Sequence, residues 1–173
     1  MDVSPDEQFL VYSSIDPYVR LVDLETLRNK QEFLDLSGRP PHADENWVGG
    51  SGIISIKLSG DGKEILGGTK AAQILVYDLV ANRMVTNLSN THTDEINSVC
   101  FANRMHSNIV FTGSDDGLIK VWDRRALNSN RPAGVFVGHA EGVTNIASKG
   151  DGIYLASNGK DQLLKVWDIR KAI

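Results

Sequence analysis

The chain has 173 residues, 41% of them hydrophobic and 23% charged, with a net charge of −4 from 18 Lys+Arg against 22 Asp+Glu. That composition fits a globular chain with a real core and argues against disorder. No stretch nears the roughly 20 apolar residues of a spanning helix, the N-terminus MDVSPDEQF lacks the pattern of an export signal, and the acidic balance offers no general grip on phosphates. An intracellular protein with no membrane and no direct nucleic acid partner is expected.

In chain order, short apolar bursts and alternating segments predict strands near 8–13 and 18–23. Residues Ser37 to Gly52, SGRPPHADENWVGGSG, are polar and rich in Gly and Pro, as an inserted surface loop would be. Further strands are expected near 53–58, 64–68, 73–78 and 84–88, then 96–102, 109–113, 118–123 and 133–137, and finally 143–148, 153–157 and 163–168. Turn signals such as Gly60-Asp61-Gly62, Asp116-Gly117 and Gly150-Asp151-Gly152 separate them. No amphipathic helix emerges.

The chain repeats itself. Ile109 to Asp123, IVFTGSDDGLIKVWD, returns as Tyr154 to Asp168, YLASNGKDQLLKVWD, a step of 45 residues. One step back lies Asp78, closing Ile74-Leu75-Val76-Tyr77-Asp78. A degenerate copy closes at Asp23, 55 residues earlier, with the excess in the polar loop. Four short antiparallel strands per unit at this period predict an all-β fold, a propeller fragment of about three to four blades. The expected division is 1–36 as a partial first blade, 37–52 as the inserted loop, 53–90 as the second blade, 91–137 as the third and 138–173 as an incomplete fourth. Unpaired edges at both ends imply that the isolated chain self-associates, aggregates or needs further blades.

At Gly138-His139, Trp122-Asp123 and Trp167-Asp168 the chain resembles the WD-repeat family. That resemblance implies a hydrogen-bonded tetrad inside each regular blade, carried here by His92, Thr112, Asp116 and Trp122, and again by His139, Ser157, Asp161 and Trp167. It also answers the hydrolase reading that His, Asp and Ser invite, because the trio recurs at the repeat period and no Gly-x-Ser-x-Gly elbow is present. The earlier units depart from the pattern, with Ala71 for the turn Asp, Tyr77 for one Trp and Val22 for another, so their tetrads should be incomplete.

After each Trp-Asp the chain reads Trp122-Asp123-Arg124-Arg125 and Trp167-Asp168-Ile169-Arg170-Lys171. This is similar to the WD-x-Arg signature of substrate receptors of the cullin-4 RING ubiquitin ligases. Most of residues 53–171 resemble the WD repeat-containing protein 23 group of those receptors, and the likeness weakens before about residue 50. The resemblance implies docking on the ligase's damaged-DNA-binding-type adaptor through Trp122, Asp123, Arg125, Trp167, Asp168, Arg170 and Lys171. It further implies an unknown protein substrate and residence in nucleus and cytoplasm. Arginine suits such a contact because its rigid fork clamps carboxylates or carbonyls, where lysine offers a mobile point charge. The alternative is that both Args are solvated strand ends or pair with a nearby Asp. In the first copy Arg124 stands where an apolar residue is usual.

Other features point less clearly. Lys149, Lys160, Lys165, Arg170 and Lys171 bias the last repeat towards basic character, readable as a docking patch or as solvated surface. Trp47 either anchors a partner or covers the edge of its own blade. His42, His92, His106 and His139 have no ligand spacing with Cys100, so neither metal nor cofactor is expected, and Cys100 reads as small apolar filler on a strand. The expected role is binding rather than catalysis. A general WD-repeat scaffold, in chromatin or RNA-processing assemblies, is the second reading.

Overall fold

The computed structural model of the chain describes residues 1–25, 31–37, 50–103, 105, 108–129 and 131–171. Its strands form four antiparallel sheets in chain order. The first contains β1 (Asp2–Val3), β2 (Phe9–Ser13), β3 (Tyr18–Asp23) and β4 (Gln31–Asp35). The second contains β5 (Ile53–Leu58), β6 (Glu64–Thr69), β7 (Ile74–Asp78) and β8 (Arg83–Leu88). The third contains β9 (Ile96–Phe101), β10 (Ile109–Ser114), β11 (Leu118–Asp123) and β12 (Gly134–Val137). The fourth contains β13 (Val143–Ser148), β14 (Tyr154–Gly159) and β15 (Leu164–Asp168). Each sheet is a meander of neighbouring hairpins, the blade of a β-propeller.

Two of these strands are absent from the sequence expectation. β1 has two residues, too few for any periodicity to register. β4, QEFLD, lies at the outer edge and buries only Leu34, so its alternation carries almost no apolar signal. The first blade is therefore four-stranded, with a stub for its inner strand, where a partial blade was expected. Short 3-10 segments follow both Trp-Asp pairs, at Arg124–Ser129 and Ile169–Lys171. Most of the expected loop lies outside the described residues, and so does Trp47.

The strands of the middle blades are nearly all apolar because both of their faces are covered. Along β6, Ile65 joins a cluster with Val11 and Val19 of the first blade, while its neighbour Leu66 joins Val99 and Val110 of the third. Successive side chains of a strand point to opposite faces, so one strand contributes to two cores. β10 and β11 repeat this: Val110 and Trp122 face the second blade, and Phe111, Ile119 and Val121 face Val143, Ile146 and Leu155 of the fourth. Among the described residues, three inter-blade clusters rather than one central core hold the arc together. Burial at about 25 cal/mol per Å² of apolar surface is its main stabilising term.

The inner strand of each following blade lies against the preceding sheet: β9 on β5 and β6, β13 on β9 and β10. Glycine makes the approach possible. A Cβ at Gly68 would stand 2.6 Å from Ile96 Cγ2, and one at Gly113 would stand 2.8 Å from Val143 Cγ1. At the same position the fourth blade has Asn158, which is exposed.

Candidate functional site

Within the third blade four side chains form one chain of hydrogen bonds. The Asp116 carboxylate is acceptor-only, so the His92 Nδ1–H donates to its Oδ2 at 2.8 Å. Nε2 is then the acceptor for the Thr112 hydroxyl, 2.6 Å away, and Thr112 Oγ1 in turn accepts the Trp122 Nε1–H at 2.9 Å. Backbone N–H groups of Thr93 and Leu118 complete the Asp116 shell. Burial pushes the Asp116 carboxyl up, but the His92 hydrogen bond and the two backbone donors outweigh it and hold the group at about 2.

The fourth blade repeats the arrangement. His139 Nδ1 lies 2.9 Å from Asp161 Oδ2, His139 Nε2 lies 2.7 Å from Ser157 Oγ, and the Trp167 Nε1–H donates to that oxygen at 2.7 Å. Burial again works against the Asp161 carboxylate, and the Ala140 N–H and His139 overcome it, so its pKa is lowered. In the second blade Gly67 and Ala71 occupy the hydroxyl and carboxylate positions, and the Tyr77 hydroxyl turns to Asn82 Oδ1 at 2.6 Å. In the first, Tyr12 and Val22 occupy the hydroxyl and indole positions.

Asp123 and Asp168 end the third strands of adjacent blades, paired with Ile109 and Tyr154, so the residues after them share one rim. Each Asp bends the chain by accepting the backbone N–H two residues on, at 3.0 Å for Arg125 and 3.1 Å for Arg170. The same two residues then form a planar fork. Arg125 donates Nε and Nη2 to Asp123 at 2.9 and 2.7 Å, and Arg170 donates the same atoms to Asp168 at 2.8 and 2.7 Å. The Arg hydrogen bonds hold both carboxyls at about 2. The guanidinium side chains remain 68% and 67% exposed. Their Nη1 edges are the donors that their own aspartates do not use. Lys171 follows as an exposed residue of the same turn.

Sequence reasoning missed the role of Arg124. Its guanidinium reaches the preceding blade and grips Glu64 with two bonds of 2.7 and 2.8 Å, largely shielded from solvent. The corresponding seam between the third and fourth blades carries Ile109 and Ile169, both packed on the shared apolar cluster. The signal that pairs Glu64 with Arg124 is sixty residues long and becomes legible only when the two repeats are superposed.

The basic bias of the last repeat is mostly matched from within the chain. Lys149 pairs with Asp151 at 3.0 Å, Lys160 with Asp115 of the third blade at 2.6 Å, and Lys165 donates to the Gly138 carbonyl. A cavity of about 450 Å³ opens at the ends of the inner strands, where Asp2 bridges Lys57 Nζ and the Leu58 N–H. Cys100 lies in its wall, buried, and that burial pushes the thiol up to about 12, so the residue behaves as apolar filler. His42 and His106 lie outside the described residues. Among the described residues no cluster of three or more His, Cys, Asp or Glu is placed to hold a metal ion.

Comparison with known proteins matches residues 1–137 to the family described as nucleolar protein 10-like, N-terminal domain, and residues 130–168 to the WD domain, G-beta repeat. The chain is 44% identical over 98% of its length to the LEC14B protein of Lithospermum erythrorhizon. It is 41% identical over 89% of its length to the DDB1- and CUL4-associated factor 11 homolog of Caenorhabditis elegans, and 45% identical over the same share to that of Caenorhabditis briggsae. It spans 36% of the first of these relatives and 26% and 27% of the other two. The solved structure of U3-55K covers 99% of the chain, with 48% of its own length, at a TM-score of 0.79 and 20% identity, a likeness of fold. The chain belongs to the WD-repeat β-propeller proteins, within the family described as nucleolar protein 10-like, N-terminal domain, and has cullin-4-associated factors among its relatives.

Proposed function

We propose that the chain is part of a substrate receptor that docks on the damaged-DNA-binding-type adaptor of a cullin-4 RING ubiquitin ligase. In that role it presents proteins, in nucleus and cytoplasm, for ubiquitination and proteasomal degradation. The observation that carries the reading is the pair of forks on adjacent blades, Arg125 on Asp123 and Arg170 on Asp168, at one exposed rim. The aspartates fix the orientation of the guanidinium planes before any partner arrives, which lowers the entropy lost on contact. They also balance the charge, so the rim offers aimed hydrogen-bond donors rather than a positive field. The nematode relatives, DDB1- and CUL4-associated factor 11 homologs, suggest the partner.

Binding, not turnover, is the proposed activity. The His, Asp and hydroxyl groups that resemble a hydrolase triad lie within the blades, with the His92 and His139 side chains shielded from solvent, and the hydroxyls are engaged by tryptophan.

Co-purification with the adaptor tests the reading, comparing the chain with an Arg125→Ala/Arg170→Ala variant whose far-UV spectrum and melting are unchanged. The expected result is retention by the wild type and a loss of about tenfold or more in affinity for the variant. A second reading, a scaffold of another assembly, is favoured by the family matched over residues 1–137. Equal binding by both proteins, or by neither, turns the assignment to that reading.

A further inference from the structure

All four blades turn in the same way at the end that carries the forks. Asp23, Asp78, Asp123 and Asp168 each close a third strand opposite the first residue of the second. The residue after each, Leu24, Leu79, Arg124 or Ile169, donates its N–H back across the hairpin at 2.8 Å. The residue after that donates its N–H to the Asp carboxylate, at 2.8 Å for Glu25 and Val80 and at 3.0 and 3.1 Å for Arg125 and Arg170. One position is thereby turned towards the seam, where Leu79 and Ile169 join apolar clusters and Arg124 grips Glu64. The next is turned out.

Along this rim the outward position reads Glu25, Val80, Arg125, Arg170. Val80 is 75% exposed. A single exposed valine is ordinary on a protein surface. This one stands where the two following blades hold aimed guanidinium groups, on a turn pinned by the same two backbone bonds. Asp78 has no Arg at this position to hold and uses the same oxygen on the Ala81 N–H at 2.9 Å, so backbone donors meet its charge. From Val80 to Arg170 the rim is charge-balanced, and a partner can cover it without burying an unpaired ion. Glu25 breaks the series, because an acidic side chain repels the carboxylates and carbonyls that the forks attract.

We propose, resting on the adaptor-docking role, that Val80 is an apolar contact of the same interface as Arg125 and Arg170. The adaptor then covers the rim of three successive blades, from the second to the fourth, and ends before Glu25. The partner face this requires has an apolar recess opposite Val80 and hydrogen-bond acceptors opposite the two Nη1 edges, an apolar contact bordered by polar ones as protein interfaces have them. Burial of the valine side chain adds affinity that the forks alone do not supply.

Equilibrium binding of the full chain to the purified adaptor tests this, with Val80→Asp and Val80→Arg beside Arg125→Ala/Arg170→Ala. Both Val80 variants are expected to melt with the wild type, since the side chain is exposed. Val80→Asp is expected to lose about tenfold or more in affinity, because a carboxylate replaces an apolar contact in a covered site. Val80→Arg, which can fork onto Asp78 as its neighbours do onto their own aspartates, is expected to lose a similar factor. Wild-type affinity for Val80→Asp, with binding lost in the double Arg variant, overturns the Val80 contact and leaves the docking role standing. Tighter binding by Val80→Arg places an acceptor opposite the second blade and overturns the apolar contact. A wild type that does not bind the adaptor overturns both.

Discussion

The third and fourth blades share a repeat, a tetrad and an Arg fork, yet they differ in what lies against them. In the third, Phe111, Ile119 and Val121 are sealed by the fourth blade. In the fourth, Ala156, Leu164 and Val166 occupy the same positions on an open face. The difference teaches that apolar character in this fold is a property of the seam rather than of the blade. Leu164 and Val166 are as apolar as their counterparts, and their energetic weight depends on what covers them.

The largest expected effect breaks the equivalence outright. Ile119→Ala should cost about 2–5 kcal/mol in denaturant unfolding, the penalty of a cavity in a packed seam. Leu164→Ala, at a position 73% exposed, should cost below about 0.5 kcal/mol. Similar costs at both positions would mean that the open face is covered within one chain.

A smaller contrast is expected between the tetrads. Thr112→Val leaves His92 Nε2 and Trp122 Nε1 without partners in a fully shielded site, and should cost about 3 kcal/mol. Ser157→Ala does the same where Trp167 is only partly buried, and should cost about 1–2 kcal/mol. Thermal melts of both variants order the two sites. A reversed order would locate the stabilisation in the hydroxyl geometry rather than in burial.

The smallest effect concerns the two rim seams. A double-mutant cycle on Glu64→Ala and Arg124→Ala should give a coupling of about 1–2 kcal/mol. Replacing both by Ile, as the Ile109 and Ile169 seam has it, should be nearly neutral, because the ion pair and the apolar pair fill the same role. A coupling near zero would reduce Arg124 to a surface residue.

Much of this architecture was legible from local signals. Thirteen of the strands announce themselves by apolar runs and turn residues, because strand periodicity and tight-turn chemistry are written within a few neighbouring positions. The tetrad residues were legible for another reason: the same side chains recur at a 45-residue step, and recurrence needs no knowledge of contacts. The stub β1 and the outer strand β4 escaped, since one is too short and the other too exposed to leave an apolar pattern.

By itself the sequence determined the repeat, the blade, the register of the turns and the identity of the two WD-x-Arg positions. Only the tertiary structure decided that Arg124 belongs to Glu64 of the neighbouring blade, that Arg125 and Arg170 are held by their own aspartates, and that one apolar face is sealed while its twin is open. The reason is range. Propensity and periodicity act over a few residues, whereas these outcomes depend on which side chains meet across a seam between repeats tens of residues apart.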